Sequence, residues 1–213
     1  DEAGLAGGRE IRDLLSQTTA DDTVLCLISG GGSALLTLPA EGLSLNDLQA
    51  TTQALLAAGA TINQVNTIRK HLSAVKGGGL AGLAAPAAVT ALILSDVVGD
   101  PLEVIASGPT VPDPTTFADA WTLVEQFQLQ QTLPEPVVAR LQAGRDGNLP
   151  DTPKAGNSIF GRVTNAVVGS NRIAALAAVR SAQAAGFNAQ LLSTFIEGEA
   201  REVQGLTEEI RES

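Results

Sequence analysis

The sequence of 213 residues contains no methionine, one cysteine and one histidine. A natural reading frame opens on methionine, so the chain is expected to be a processed or excised piece of something longer. The single cysteine, Cys26, excludes an internal disulfide. Its place in Val24-Leu25-Cys26-Leu27-Ile28 suits a buried strand residue better than a nucleophile. One histidine with one cysteine excludes a His/Cys zinc site, and no Ser-His-Asp spacing can be argued around His71. Packing or hydrogen bonding is the plainer role for that histidine, with catalysis as the alternative. No apolar run approaches the roughly 20 residues of a membrane span, and no signal-peptide pattern opens the sequence. The expectation is a soluble chain in a reducing, cytoplasmic setting that does not engage a membrane. Positive charge is scarce too: 13 basic against 23 acidic side chains give a net charge of −10. That balance argues against nucleic-acid binding through a broad electrostatic surface. Internal repeats and low-complexity tracts are also lacking.

Apolar residues make up 44% of the chain, enough for a sizeable core, and one large domain is the expectation. Periodicity predicts an amphipathic helix over residues 5–15, a buried strand over 23–29 and a second helix after the glycines that follow. Ser44 is the N-cap of another helix, with Asp47 forming a weak capping box and Leu48, Thr52, Leu55 and Leu56 on the inward face. Residues 61–72 are helical through Ile62, Val65, Ile68 and Leu72, which leaves Asn66, Arg69 and Lys70 off the apolar stripe. Residues 88–94 read as a second buried strand, and 117–127 and 134–142 as helices. Glycine, asparagine, aspartate and proline make 144–161 the best candidate for a mobile surface loop. A closing βαβ unit follows: strand 162–168, helix 171–185 with Ile173, Leu176 and Val179 inward, strand 188–192 and helix 199–211. Alternating strands and helices predict an α/β fold, with a parallel sheet covered on both faces.

Three polar, glycine-rich patches punctuate the first half. Ser29-Gly30-Gly31-Gly32-Ser33 follows the first strand, and Ser95-Asp96-Val97-Val98-Gly99-Asp100 follows the second, leading to Ser107-Gly108-Pro109. Between them lies a patch from Asn66 to Gly79 that carries Arg69, Lys70 and Lys76. Small residues after a buried strand let backbone N–H groups approach a ligand closely. Backbone donors, cations and carboxylates together suit a site for phosphate and a divalent metal. The bland readings are a tight turn for the glycines, a solvated helix face for the cations and turn aspartates for Asp96 and Asp100.

The first patch lacks the Gly-Lys-Ser/Thr ending of a Walker A loop, and Leu35 stands where a dinucleotide fingerprint needs its third glycine. Gly77, Gly79 and Gly82 do satisfy G-x-G-x-x-G, but the segment before them is polar and helical rather than a buried strand. A helix start with glycines for close packing explains that spacing as well. Ser170-Asn171 repeats the polar strand-to-helix turn and can cap the helix, bind ligand, or both.

These residues resemble the glycerate 2-kinase family, whose C-terminal region is the MOFRL domain. The resemblance is carried by Leu27-Ile28-Ser29-Gly30-Gly31-Gly32-Ser33-Ala34-Leu35, by Asn66-Thr67-Ile68-Arg69-Lys70-His71-Leu72-Ser73-Ala74-Val75-Lys76-Gly77-Gly78, and above all by Leu94-Ser95-Asp96-Val97-Val98-Gly99-Asp100 with Ile105-Ala106-Ser107-Gly108-Pro109-Thr110 and Pro112-Asp113. Asp1-Glu2-Ala3-Gly4, Gly169-Ser170-Asn171 and Glu197-Gly198-Glu199-Ala200 extend it over nearly the whole chain. It implies ATP-dependent phosphorylation of D-glycerate to 2-phosphoglycerate with Mg2+. It also implies a three-layer α/β/α, Rossmann-like domain with a mainly parallel sheet, beside a smaller domain, with the active site between them. Residues 1–213 would be most of the larger N-terminal domain, without its upstream Gly-Lys segment and without the MOFRL domain.

On that resemblance Arg69, Lys70, Lys76 and Asp96 are the expected catalytic residues, and Asp96 and Asp100 the metal ligands. Ser29, Gly30, Gly31, Gly32, Ser33, Asn66, Gly77, Gly78, Ser107, Gly108, Ser170 and Asn171 would bind substrate or phosphate. Arg69 would clamp a carboxylate or phosphate, Lys70 or Lys76 would offset charge on the γ-phosphoryl group, and Asp96 would hold magnesium or orient the attacking hydroxyl. A homodimer is compatible with this reading. The alternatives are an NAD(P)H-dependent hydroxypyruvate reductase, a label often given to members of the family, and a non-catalytic ligand-binding remnant.

Overall fold

Three runs rich in valine, leucine and isoleucine form the sheet around which the chain is organised. The computed structural model describes residues 2–196. In chain order the elements are α1 (Glu2–Leu15), β1 (Thr23–Ile28), α2 (Gly32–Leu35), α3 (Leu45–Ala57), α4 (Ile62–His71), α5 (Gly79–Ala84), β2 (Ala88–Leu94), α6 (Phe117–Gln126), α7 (Glu135–Arg145), β3 (Val163–Gly169) and α8 (Asn171–Ala184). The strands lie parallel in the order β1-β2-β3. The α/β class and the parallel sheet are therefore as the sequence predicts. No helix among the described residues is long and apolar enough to cross a membrane.

Register decides which residues share a face. Val24 pairs with Val89 and Val89 with Val163, while Ile28 pairs with Ile93 and Ile93 with Val167. This face packs under α1 and α5 through Leu5, Leu15, Leu80 and Ala84, and under Ile105 at the far end of β2. The opposite face is not closed by the described residues: Leu25 is 60% and Leu27 76% exposed, with Leu94 and Val168 also more than half exposed. A second core lies away from the sheet, where α3, α4, α6 and α7 bury Leu55, Ile68, Trp121, Val124, Val137 and Leu141. Capping boxes at Ser44/Asp47, Thr61/Gln64 and Thr116/Asp119 start three of these helices, each satisfying N–H groups that have no partner inside the helix.

Several expectations are corrected. Leu56 and Ile62 are exposed, and Thr51 takes the buried place on α3. Ile173 is exposed as well, so α8 buries no residue fully. Residues 188–192 join no ladder among the described residues and form no strand. The 144–161 segment is pinned rather than free: Asp113 N–H donates to Pro153 O at 2.9 Å, Thr152 Oγ1 donates to an Asp113 carboxylate oxygen, and Lys154 Nζ donates to Thr115 O. The helix expected over 199–211 and the segment Glu197-Gly198-Glu199-Ala200 lie outside the described residues.

Phe117 is boxed between the His71 ring, 4.7 Å away, and Arg140. Its ring lies directly over Gly144 in α7, where a Cβ would overlap it. Gly144 lies in the last turn of α7, so alanine there gains less than the about 1 kcal/mol of an interior helix position, whereas overpacking a rigid ring costs ~1–3 kcal/mol. Gly144→Ala is expected to lower the unfolding free energy by about 1 kcal/mol, read as a lower urea midpoint of the complete protein; an unchanged or higher midpoint contradicts the packing argument.

Candidate functional site

The loops after β1 and β2 meet at the carboxyl end of the sheet because glycine lets them. A Cβ on Gly30 would lie 2.5 Å from Asp96 Oδ2, and one on Gly32 would lie 3.1 Å from the Ala106 Cβ. Gly31 adopts φ +83° as the N-cap of α2, which lasts only one turn. The glycines of the first patch thus serve a close approach between loops, and the Gly32 N–H is taken by Ser29 O.

A second seam fixes the residues beyond β2. Gly77 N–H donates to Ser107 O at 2.9 Å, Gly78 N–H to Gly108 O at 2.7 Å and Ala81 N–H to Pro109 O at 3.2 Å. Gly77, Gly78 and Gly108 have positive φ, as do the non-glycine residues Ala106 and Ser107. Left-handed backbone at non-glycine residues costs roughly 1–3 kcal/mol each and persists only where the surroundings over-determine it. Here it sets the fully buried Ser107 hydroxyl against Ser33.

The result is a directed chain of hydrogen bonds. Arg69 Nη1 donates to Ser33 Oγ at 3.3 Å, and Ser107 Oγ donates to Asn66 Oδ1 at 3.3 Å. Ser33 Oγ, 2.6 Å from Ser107 Oγ, is then the donor between the two hydroxyls. Two cations converge on one carbonyl: Arg69 Nη2 and Lys76 Nζ each lie 2.6 Å from Ser33 O, and Lys76 also donates to Leu36 O. No carboxylate among the described residues pairs with either cation. Lys76 is only 4% exposed. Burial, and then the nearby Arg69 charge, bring its ammonium pKa down to about 7; burial also lowers that of Arg69. A cavity of about 520 Å3 opens over these two cations, walled by α3.

Lys70, next to Arg69 in sequence, is placed elsewhere. Its Nζ lies 3.2 Å from Asp113 Oδ1, and both side chains are buried. Burial pushes the Asp113 carboxyl up, but the Thr115 N–H, the Lys70 charge and the Thr115 hydroxyl outweigh it and hold the pKa below the ordinary value. Beside this pair, His71 sits with Nδ1 on Thr67 O and Nε2 on Asp151 Oδ1, a packing and hydrogen-bonding role. Asp151 and Thr152 come from the distant 144–161 segment, and no local sequence signal pointed to them.

The two carboxylates expected to hold metal have different surroundings. Asp96 is exposed, rests against Gly30 and makes no hydrogen bond among the described residues. Asp100, at φ 56°, lines a hollow of about 130 Å3 with Asn171, Arg172 and Phe195. Ser170 caps α8, accepting from Ile173 N–H. No group of three His, Cys, Asp or Glu side chains able to hold a metal occurs among the described residues. Magnesium takes one or two carboxylates and completes its shell with water and substrate phosphates. The free Asp96 carboxylate, lodged where a Cβ on Gly30 would stand, fits that demand.

Residues 1–142 match the sequence model of a family described as a domain of unknown function, DUF4147. The chain is 46% identical over 202 residues to the glycerate 2-kinase of Pyrococcus horikoshii, covering 95% of this chain and 45% of that protein. It is 45% identical over 203 residues to the glycerate kinase of Rattus norvegicus (95% and 38% covered), and 45% over 203 residues to a putative hydroxypyruvate reductase of Agrobacterium vitis (95% and 44%). The crystal structure of a glycerate kinase from Thermotoga maritima superposes with a TM-score of 0.86 at 41% identity, covering 99% of this chain and 48% of that one. The chain therefore spans about half the length of these proteins or less.

The buried pair gives a stability prediction. Removing one partner of such a pair costs about 3–5 kcal/mol, so Asp113→Asn is expected to lower the unfolding free energy by about that much at neutral pH. Because the folded pKa of Asp113 is depressed, its contribution is present above the ordinary value of 3.8 and lost as pH falls through the folded value. The variant's stability is therefore expected to fall less steeply below about pH 4. Parallel acid-denaturation curves for the two proteins would contradict this.

Proposed function

Because the chain belongs to the DUF4147 family and is similar to glycerate kinases over nearly all of its length, we propose that the complete protein transfers the γ-phosphoryl group of ATP to the 2-hydroxyl of D-glycerate. Residues 1–213 would supply most of the larger domain. The observation that carries this reading is the pair of cations, half-buried Arg69 and buried Lys76, on one carbonyl with no carboxylate paired to either among the described residues. An anion bound there restores the balance that burial disturbs. Phosphoryl transfer asks a protein for positioning and charge neutralisation rather than covalent chemistry.

Magnesium-ATP supplies the phosphoryl group and screens its charge when bound. The chain's own residues do the remainder. Arg69 clamps the carboxylate or a phosphate through its two terminal nitrogens, held in place by Ser33. Lys76 gains a partner for its charge, and its proton is held more firmly. Asp96 would hold the metal, or would accept the hydroxyl proton as the new P–O bond forms and the bond to ADP breaks. The name of the P. horikoshii relative, glycerate 2-kinase, supports attack by the 2-hydroxyl. A cytoplasmic setting and a homodimer belong to the same proposal.

The reductase reading would need a nicotinamide site. Gly77, Gly79 and Gly82 follow α4 and a turn rather than a strand, and the Gly77 and Gly78 N–H groups are already bonded to Ser107 and Gly108. The kinase reading is favoured for that reason.

ADP release by the complete gene product, given D-glycerate and magnesium-ATP, is the direct test, with hydroxypyruvate and NAD(P)H in parallel. Glycerate-dependent ADP is expected; oxidation of the reduced cofactor without ADP overturns the proposal. Arg69→Ala is expected to reduce kcat/KM for D-glycerate by 100-fold or more, about 2.7 kcal/mol, and an unchanged value removes Arg69 from the site. Since Lys76 titrates near 7 in the free protein and binds anions only when charged, kcat/KM is expected to decline as pH rises above about 7. Lys76→Arg should move that limb upward, because a guanidinium stays charged; a limb that stays put assigns it to another group.

A further inference from the structure

Leu56 occupies a position that periodicity assigns to the core, yet it is 59% exposed and lines the cavity over Arg69 and Lys76. Leu48 joins it on the same wall, and Gln49 and Gln53 of α3 line it as well. The cavity, about 520 Å3, is far larger than a three-carbon acid needs, and falls within the roughly 300–1,000 Å3 of sites for larger ligands. We infer that this cavity seats the base and ribose of the nucleotide against α3, with the polyphosphate resting on Arg69 and Lys76. The inference rests on the kinase reading and adds the place of the second substrate.

Charge and shape agree on the occupant. Two cations without carboxylates call for an anion with more than one negative charge, and the apolar wall calls for a group that is not itself an anion. A nucleoside polyphosphate carries both in one molecule. Leu48 and Leu56 offer the ring faces an apolar surface, and the two glutamines offer donors and acceptors for ring edges. Ser33, Ser107 and Asn66 are linked by hydrogen bonds on the loop side of the two cations, leaving that side for the acid. Phosphates lying between the two substrates are what transfer requires.

The test uses the complete protein and ADP as probe, followed by titration calorimetry. Thr52, on α3 and lining the cavity, is replaced to fill it (Thr52→Phe), and Gln53→Ala removes one amide without adding bulk. Thr52→Phe is expected to weaken ADP at least 10-fold and Gln53→Ala about 3-fold, with D-glycerate affinity unmoved in both. ADP affinity unchanged in the folded variants overturns the placement. Tripolyphosphate is expected to bind the unaltered protein more weakly than ADP and to ignore Thr52→Phe; equal losses for both ligands mean that the substitution disturbed the cations, which also overturns it. Photolabelling with 8-azido-ADP should mark residues 45–57, and a label found wholly elsewhere counts against the site even if Thr52→Phe does not fold. Turnover of glycerate with ADP affinity indifferent to α3 sinks this inference alone. Cavity-sensitive ADP binding without turnover sinks the kinase reading and leaves the cavity assignment standing.

Discussion

The loops at the carboxyl end of the sheet pass one another more closely than side chains would permit, and the site depends on that approach. Gly30 lies under Asp96, Gly32 under Ala106, and Gly78 under Val111 O, each with less room than a Cβ needs. The seam from Gly77, Gly78 and Ala81 to Ser107, Gly108 and Pro109 then draws the α4–α5 turn onto the same spot. Only with these contacts made can Ser33 reach Ser107, Arg69 and Lys76 at hydrogen-bond distance. The strained backbone at Ala106 and Ser107 is tolerated because the seam holds it on both sides.

The same geometry separates cations that look alike in the sequence. Arg69 and Lys70 are neighbours, but successive helical residues point about 100° apart. One side chain therefore turns toward α2 and the other toward Asp113. Lys70 has its charge answered inside the protein and ties α4 to the segment after Pro112. Lys76 arrives from the turn after α4 and joins Arg69, and the two positive charges rest on hydroxyl and carbonyl oxygens, with no carboxylate paired to either among the described residues. Burial there disfavours charge, whereas the Lys70 pair is held by a full opposite charge and by two threonines that also bond Asp113. Neighbouring residues of one short helix thus enter a buried ion pair, through Lys70, and an unanswered cation pair, through Arg69.

Periodicity and punctuation made most elements legible. β2 runs over Ala88–Leu94 as the apolar run indicates, and the Ser44 capping box forms. The patches after β1 and β2 do lie at strand ends, where open α/β sheets collect ligands. The sequence misled where a helix has more than one neighbour. α3 turns Thr51 into the core and Leu56 to the cavity, since the cavity takes part of its apolar face. Glycine content marked 144–161 as loose, yet Asp151, Thr152 and Lys154 bond to His71, Asp113 and Thr115 across dozens of residues. Such pairings leave no local trace. The different surroundings of Asp96 and Asp100 were hidden as well, because the three loop residues between them can turn a carboxylate in any direction.

The open face of the sheet bears on association with other chains. Leu25, Leu27, Leu94 and Val168 stand exposed on a surface whose other side is already packed, and among the described residues β1 is an edge strand. A surface that is apolar on one face and open along a strand edge is a ready template for another strand or another chain. For as long as it stays uncovered, its leucines and its backbone groups together invite association, so whatever closes this face also protects the protein from aggregation.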